Sequence, residues 1–209
     1  MMNKIFFVTG IDTNIGKSYA TGYLARKSAL EGNSVITQKL IQTGNNSISE
    51  DIIIHRKIMG IELLPEDLTG ITCPVVLSYP ASPHLAARID KVNIDLEKIR
   101  LSTATLRKKY DVTFIEGAGG IMTPLTENYS TLDYIRDEQF PVFVVTSPKL
   151  GSINHTLLTL EICRYTNIYV MGVVYNMFEI EDDLICEDTR EYIKSYIKKY
   201  MQKTMWLEI

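Results

Sequence analysis

Short apolar segments alternate with longer segments of helical period along almost the whole chain. Five of the short segments have the length of strands, and most of the five are continuously apolar, which is typical of strands buried on both faces of a parallel sheet. They predict strands at residues 5–9, 35–40, 112–115, 142–146 and 168–175. The longer segments predict helices at residues 17–31, 50–59, 82–89, 96–109, 131–138, 153–165 and 184–201. Because strands alternate with helices, we predict a single α/β domain over residues 1–209, with a doubly wound, mainly parallel sheet flanked by helices.

A glycine-containing loop directly follows the first predicted strand. Residues 10–18 read GIDTNIGKS and lead into a helix, which is the setting of a phosphate-binding loop. In such a loop the backbone N–H groups face the phosphates, Lys17 meets the outer phosphates and the Ser18 hydroxyl binds magnesium. Five residues, rather than the common four, separate Gly10 from Gly16. The sequence thus predicts a P-loop NTPase-like fold with its ligand at the carboxyl edge of the sheet.

Two further strands lead into charged residues. Lys39 lies in the segment 38–44, QKLIQTG, and Glu116 opens the segment 116–120, EGAGG. A carboxylate beside a triphosphate supplies an oxygen ligand of the kind that Mg²⁺ prefers, and glycines allow close backbone approach. Taken alone, each charged residue is more simply interpreted as a solvated group at a turn. Together with the phosphate loop, the two residues favour a site for ATP and Mg²⁺.

Composition and charge exclude several classes of protein. Of the 209 residues, 45% are hydrophobic and 22% are charged, which is unlike a disordered, collagen-like or disulfide-rich chain. The net charge of -3 offers no field for a nucleic-acid backbone. Cys73, Cys163 and Cys186 lack the spacing of a disulfide framework or zinc site and are expected to be buried thiols. No apolar run is long enough for a signal peptide or a membrane span, so we expect a cytoplasmic protein without a membrane partner.

Five motifs follow one another within residues 3–176: GIDTNIGKS with its extra residue, KLIQTG, SPHLAAR from Ser82, EGAGG, and KLGSINHTLLT from Lys149. In their order and separation they resemble the motifs of the dethiobiotin synthetases, ATP-dependent ligases of biotin biosynthesis. The resemblance implies a cytoplasmic homodimer with its active site at the interface. The implied reaction closes CO₂ and 7,8-diaminononanoate into the cyclic urea of dethiobiotin while ATP becomes ADP and phosphate. A carbamate and a carbamic-phosphoric anhydride would be the intermediates.

The resemblance also assigns roles to residues of this chain. Thr13, Lys17 and Lys39 are implied to be catalytic, and Ser18, Asp51 and Glu116 to hold Mg²⁺. The residues expected to contact the nucleotide are Asn14, Ile15, Gly16, Lys17, Ser18, Tyr19, Glu116, Gly119 and Asn176. The residues expected to contact the diamine substrate are Thr13, Lys39, Thr43, Gly119, Leu150, Gly151, Ser152, Ile153, Asn154 and Tyr192. Residues 150–154 would bind the substrate carboxylate across the dimer interface.

Several of these assignments have simpler alternatives. Asp51 is also explained as an acid at a helix N-terminus, and the loop before residue 153 as a glycine turn capped by Ser152. Tyr192 is equally well explained as a surface aromatic residue. Of the histidines in the motifs, His84 is expected to support the site through packing, and His155 to be a packed or surface residue.

The chain departs from the family pattern at two places. Asn14 stands where the family commonly has glutamate. Asn176 is expected to read the edge of the purine, but no proline follows it, whereas the family usually has a proline-containing segment that completes the base pocket. The pocket is therefore either incomplete or rebuilt by the acidic stretch 179–183 and the final helix.

A switch ATPase of the partitioning type is the alternative function. Such proteins have a similar strand, phosphate loop and helix, but they usually carry an additional lysine early in the loop. Here the loop begins Thr9-Gly10-Ile11 and lacks that lysine. The loop sequence therefore favours the synthetase.

Overall fold

A computed structural model describes residues 3–178 and 182–209. The strands are β1 (Lys4–Gly10), β2 (Val35–Lys39), β3 (Gln42–Thr43), β4 (Val76–Leu77), β5 (Val112–Gly120), β6 (Pro124–Thr126), β7 (Tyr129–Ser130), β8 (Val142–Thr146), β9 (Val170–Tyr175) and β10 (Met205–Glu208). The helices are α1 (Lys17–Leu30), α2 (Glu50–Met59), α3 (Pro65–Leu68), α4 (Pro83–Asp90), α5 (Leu96–Lys109), α6 (Thr131–Glu138), α7 (Ser152–Tyr165) and α8 (Asp183–Tyr200).

Six strands form a parallel central sheet in the order β10-β9-β8-β1-β5-β2. Side chains of successive strand residues enter two different cores. In β1, Phe7 belongs to one core and Val8 to the other, and in β8, Val144 and Val145 divide in the same way. Because side chains alternate between the faces of a strand, a sheet covered on both faces needs apolar residues at almost every position. The doubly wound α/β sheet predicted from the sequence is confirmed.

The strand register brings the functional loops to one edge of the sheet. Gly10 at the end of β1 pairs with Val145 of β8 and with Gly120 of β5. Lys39 at the end of β2 pairs with Glu116 of β5. Parallel strands present their carboxyl ends at the same edge, so the segments that follow β1, β2, β5 and β8 are neighbours.

All five predicted strands and seven predicted helices are present, with some different boundaries. The largest difference is in β5, which continues to Gly120 instead of ending at Ile115. Glu116 therefore lies within a strand and is 1% exposed, so the solvated turn considered for it is wrong. The edge strand β10 and the two short pairs, β3–β4 and β6–β7, were not predicted because strands of two to four residues carry little periodic signal.

Two other expectations from the sequence concern cysteines and membranes. Cys73, Cys163 and Cys186 are buried and unpaired, as predicted. Within residues 3–178 and 182–209, no helix has the length and apolar character needed to cross a bilayer.

Candidate active site

The phosphate loop connects the end of β1 to the start of α1. A β-carbon at position 10 would lie only 2.6 Å from Cγ2 of Ile15 and 3.1 Å from Cδ of Lys17, so the fold of this loop requires glycine there. Gly16 has a φ of +88°, in the left-handed region that favours glycine. The Lys17 ammonium turns back over the loop and donates a hydrogen bond to the Asp12 carbonyl at 2.7 Å. The lysine and the first backbone N–H groups of α1 thus face the same loop.

Burial changes the ionisation of Lys17. Loss of water around the ammonium lowers the pKa of Lys17 from 10.5 to about 8, although the carboxylates of Glu116 and Asp51 act in the opposite direction. A phosphate group in the loop would replace part of the lost solvation. The energetic cost of burying this cation is therefore consistent with an anion-binding role.

Lys39 lies between two carboxylates. Its Nζ is 2.7 Å from Oε1 of Glu116 and 2.6 Å from Oδ2 of Asp51, and it also donates to the Gly117 carbonyl at 3.1 Å. Burial opposes ionisation of both Lys39 and Glu116, but their attraction outweighs it: the pKa of Lys39 is raised above its usual value and the pKa of Glu116 is held well below its own. Lys39 is only 5% exposed, so its interpretation as a solvated strand-end lysine is wrong.

Three oxygen donors from three elements meet beside Lys39. The Ser18 hydroxyl at the start of α1 lies 2.7 Å from Oδ1 of Asp51 on α2 and 3.1 Å from Oε1 of Glu116 on β5. Asp51 is in the first turn of α2, as the simpler alternative has it. It also contacts Ser18 and Lys39, so its position at the helix N-terminus is not its whole role. The donors are hard oxygen atoms, which fit Mg²⁺.

Among the described residues, no group of three or more His, Cys, Asp or Glu side chains could hold a metal ion by itself. Mg²⁺ in nucleotide sites usually takes only one or two carboxylates and completes its shell with phosphate oxygens and water. The donor set of Ser18, Asp51 and Glu116 is of this kind. It fits a metal that arrives with a nucleotide rather than a permanently bound one.

His55 is a buried site residue that sequence reasoning missed. Its Nε2 is 2.7 Å from Oε2 of Glu116, and its Nδ1 is 3.0 Å from the hydroxyl of Thr37. The available signal was its spacing from Asp51, since residues four apart share one face of a helix. Both side chains on α2 contact the Ser18–Lys39–Glu116 cluster.

Asn176 follows β9 and contacts the phosphate loop. Its side-chain amide donates to the Ile15 carbonyl at 3.1 Å, and its carbonyl oxygen accepts from the backbone N–H of Phe178 at 3.2 Å. A β-carbon at position 16 would lie 2.1 Å from this amide nitrogen, so the contact depends on Gly16. The amide thus supports the loop, and its contact with the purine stays a prediction. Of the acidic stretch considered for the base pocket, residues 179–181 lie outside the described residues.

A family model described as AAA domain matches residues 4–201. The ATP-dependent dethiobiotin synthetase BioD 2 of Pasteurella multocida is 51% identical over 193 residues, covering 92% of this chain and 91% of that protein. The ATP-dependent dethiobiotin synthetase BioD of Chlorobaculum tepidum is 48% identical over 193 residues, covering 92% of this chain and 81% of that protein. The chain belongs to the dethiobiotin synthetase family. The resemblance stated from the five motifs is confirmed.

The fold is shared more widely than the family. A putative plasmid partition protein from Borrelia burgdorferi, solved bound to AMPPNP, has a TM-score of 0.56 and 15% identity over 100% of this chain and 88% of its own. Chloroplast FtsY from Physcomitrella patens has a TM-score of 0.55 and 15% identity over 98% of this chain and 57% of its own. At these identities the likeness shows the fold alone. The partition protein therefore gives no separate support to the switch ATPase.

The loop that precedes α7 contains the residues expected to bind the substrate carboxylate of a dethiobiotin synthetase. Leu150 is 80% exposed, and Gly151 has a φ of +93°. Ser152 does not cap α7, as one alternative had it: it is the first residue of the helix, and its hydroxyl lies 3.3 Å from that of Ser147. Gly151 occupies the cap position because only glycine adopts this backbone geometry without strain.

A cleft separates this loop from the last helix. Its lining residues are Leu150, Gly151, Ile153, Leu184, Ile185, Asp188 and Thr189. Asn154 is exposed on the first turn of α7. Tyr192 is 54% exposed and lies one turn further along α8 from Asp188 and Thr189. Three of the residues expected to contact the substrate, Leu150, Gly151 and Ile153, thus line a surface cleft. Another of them, Lys39, lies instead in the buried ionic cluster.

The remaining predicted residues lie around the phosphate loop or the adjoining strands. Thr13 and Asn14 are exposed within the loop, and Asn14 has a φ of +57°, which asparagine tolerates better than most residues. Tyr19 is half-exposed on the first turn of α1. Thr43 is partly buried in β3. Gly119, with a φ of +67°, adjoins the hydroxyl of Thr123, where a β-carbon would clash at 2.4 Å.

Proposed function

We propose that this protein is an ATP-dependent dethiobiotin synthetase, a ligase that joins CO₂ to 7,8-diaminononanoate and closes the ring with release of ADP and phosphate. Its family membership supports this activity. The observation that carries the proposal is the buried cluster in which Lys39, Asp51 and Glu116 meet Ser18 of the phosphate loop. We propose that residues 1–209 act as one domain, since the central sheet joins strands from β1 to β10. The cytoplasm is the proposed location of the protein.

The reaction requires neutralisation of negative charge. An amine of the diamine and CO₂ form a carbamate, whose oxygen is a poor nucleophile toward a highly charged triphosphate. Lys17 and Lys39 would draw off charge as this oxygen attacks the γ-phosphorus and ADP leaves. The product of that step is a carbamic-phosphoric anhydride. The second amine then attacks the carbonyl carbon and expels phosphate, which closes the cyclic urea.

This chain's residues would mainly hold and orient the reactants. Thr13 and Thr43 would contact the diamine, and Asn14, Ile15, Gly16, Tyr19 and Gly119 would surround the nucleotide. Both amines held in one rigid site make ring closure effectively intramolecular, so the reaction needs no covalent enzyme intermediate. Ser18, Asp51 and Glu116 would hold Mg²⁺. When bound, Mg²⁺ neutralises charge on the phosphates.

We also propose that the active protein is a homodimer. Leu150 and Leu184 line the cleft between the loop before α7 and the last helix, and each is about 80% exposed. Exposed apolar side chains around a cleft are consistent with cover by a second subunit. Sedimentation equilibrium should therefore give twice the mass of the chain, and a monomer at working concentration would contradict a shared site.

The direct test is product formation. The protein would be incubated with 7,8-diaminononanoate, ¹³C-bicarbonate, Mg²⁺ and ATP, and dethiobiotin would be sought by mass spectrometry. We expect dethiobiotin carrying one ¹³C atom, formed only when ATP and the diamine are both present. ATP hydrolysis that does not depend on the diamine, without this product, would instead favour the switch ATPase.

Nucleotide selectivity should be modest. Without a proline-containing segment after Asn176, the base loses contacts that we value at about 1–3 kcal/mol. We expect looser ATP binding than in family members with the full segment, and a preference for ATP over GTP or CTP below about a hundredfold. Comparison of kcat/KM for the three nucleotides at equal Mg²⁺ checks this. A thousandfold preference would show that other residues rebuild the base pocket.

Nucleotide affinity should fall at alkaline pH. In the free protein the pKa of Lys17 is about 8, below its ordinary 10.5, so the ammonium is present below pH 8 and is lost as the pH rises through that value. Binding of the phosphates favours the charged form, and one linked proton gives at most about a tenfold loss of affinity per pH unit. Calorimetry with AMPPNP between pH 7 and 9.5 measures this slope. The variant K17R stays charged and should abolish it, and a flat wild-type profile would contradict the prediction.

A further inference from the structure

Behind the proposed magnesium ligands lies a buried histidine. His55 is completely buried on α2, and its Nε2 is 2.7 Å from Oε2 of Glu116. The other oxygen of that carboxylate, Oε1, faces Lys39 at 2.7 Å and the Ser18 hydroxyl at 3.1 Å. Glu116 is itself 1% exposed, so water has little access to either oxygen. The two oxygens of Glu116 therefore have separate partners: one faces the reaction site and one faces His55.

A second set of contacts fixes the orientation of the imidazole. Nη1 of Arg56 donates to the Thr37 hydroxyl at 2.8 Å, and that hydroxyl is 3.0 Å from Nδ1 of His55. Arg56 is buried and is held by two hydrogen bonds to Asp67, at 2.7 and 2.8 Å. Because Arg56 is a permanent donor, the Thr37 hydroxyl accepts from it and can direct its own proton to Nδ1. The ring proton then lies on Nε2, opposite the Glu116 carboxylate.

We propose that His55 is a positioning residue that donates a hydrogen bond from Nε2 to Oε2 of Glu116 and thereby aims Oε1 at the metal and phosphate site. The inference rests on the proposed role of Glu116 as a magnesium ligand. Because the hydrogen bond from His55 holds Oε2, the Glu116 carboxylate cannot rotate to bring both of its oxygens toward Lys39. Partners behind a metal ligand commonly alter metal affinity by roughly 10–100-fold when removed.

The structure suggests a matched set of variants. H55L replaces the imidazole with an apolar side chain of similar size and so removes the Nε2 donor. H55Q keeps an N–H donor near the position of Nε2. K57Q changes an exposed residue on the same helix and serves as the control. The readout is the affinity for AMPPNP, measured by calorimetry in the presence and absence of Mg²⁺, and the ratio of the two values is the magnesium enhancement.

We expect H55L to reduce the magnesium enhancement roughly tenfold or more, with metal-free affinity within about twofold of the wild type. H55Q should recover most of the enhancement, and K57Q should match the wild type. A purely structural role would weaken binding with and without Mg²⁺ alike. Either that result or an unchanged enhancement in H55L would overturn the proposal.

A measurement on the wild-type protein covers the case in which H55L does not fold. The chain has three histidines, so long-range ¹H–¹⁵N spectra can be assigned with H84Q and H155Q. The ring of His55 should be protonated at Nε2, and a bare Nε2 would overturn the proposal. If the wild type makes no dethiobiotin but H55L loses the enhancement, the proposed substrate is wrong and the role of His55 stands.

Discussion

Lys17→Ala should lower kcat/KM for ATP by about a thousandfold or more while the protein keeps its fold. The Lys17 ammonium is the cation that lies over the phosphate loop, where it donates to the Asp12 carbonyl. No other group of the loop could replace it, because the remaining donors, which are the backbone amides and the side chains of Thr13, Asn14 and Ser18, are all neutral. Folding should be little affected, since the burial that lowers the pKa of Lys17 also makes its charge costly to the free protein. Steady-state dethiobiotin formation and circular dichroism check the two parts.

Lys27 provides the control for this variant. It lies on the same helix, but in the last turn, and is exposed. K27A should therefore retain wild-type turnover. Near-normal activity in K17A, together with a native spectrum, would exclude the loop as the catalytic site.

The sheet could be predicted from sequence because its central strands are covered on both faces. A strand such as β8, VFVVT, has no polar face and stands out as a short apolar run. The edge strand β10, MWLE, does not stand out as an apolar run, because it ends in Glu208. This carboxylate faces the cations of Lys194 and Arg190 on α8 rather than a core. The position of β10 became evident only from its parallel pairing with β9, in which Met205 pairs with Gly172 and Glu208 with Tyr175.

The residues of the phosphate loop could be predicted from the sequence, but the buried residues that support the candidate site could not. Lys17 and Ser18 belong to a loop whose local sequence carries the signal. His55 has no such motif, and its role follows from a contact with Glu116, 61 residues away. The Arg56–Asp67 pair is similar: charged residues are expected at the surface, and only the fold shows that these two lie buried together.

Glu116→Gln should reduce the magnesium enhancement of nucleotide binding on the order of a hundredfold while changing diamine affinity much less. The amide keeps the shape of the side chain but loses the charge that Mg²⁺ would require. In the wild type this carboxylate is ionised, because Lys39 and His55 hold the pKa of Glu116 well below its usual range despite burial. Titration of activity with Mg²⁺, and of AMPPNP binding with and without Mg²⁺, measures the loss. An unchanged titration would remove Glu116 from the metal site.

The double variant E116Q/H55L connects this prediction to the role of His55. In E116Q one side-chain atom becomes an N–H donor, and no orientation of the amide offers acceptors to both Lys39 and Nε2 of His55. The histidine therefore has no proper partner left to position. If it acts only through Glu116, removing it from E116Q should not further change the magnesium enhancement, although H55L alone reduces it. Additive losses would mean that His55 affects nucleotide binding by a route that does not pass through the carboxylate.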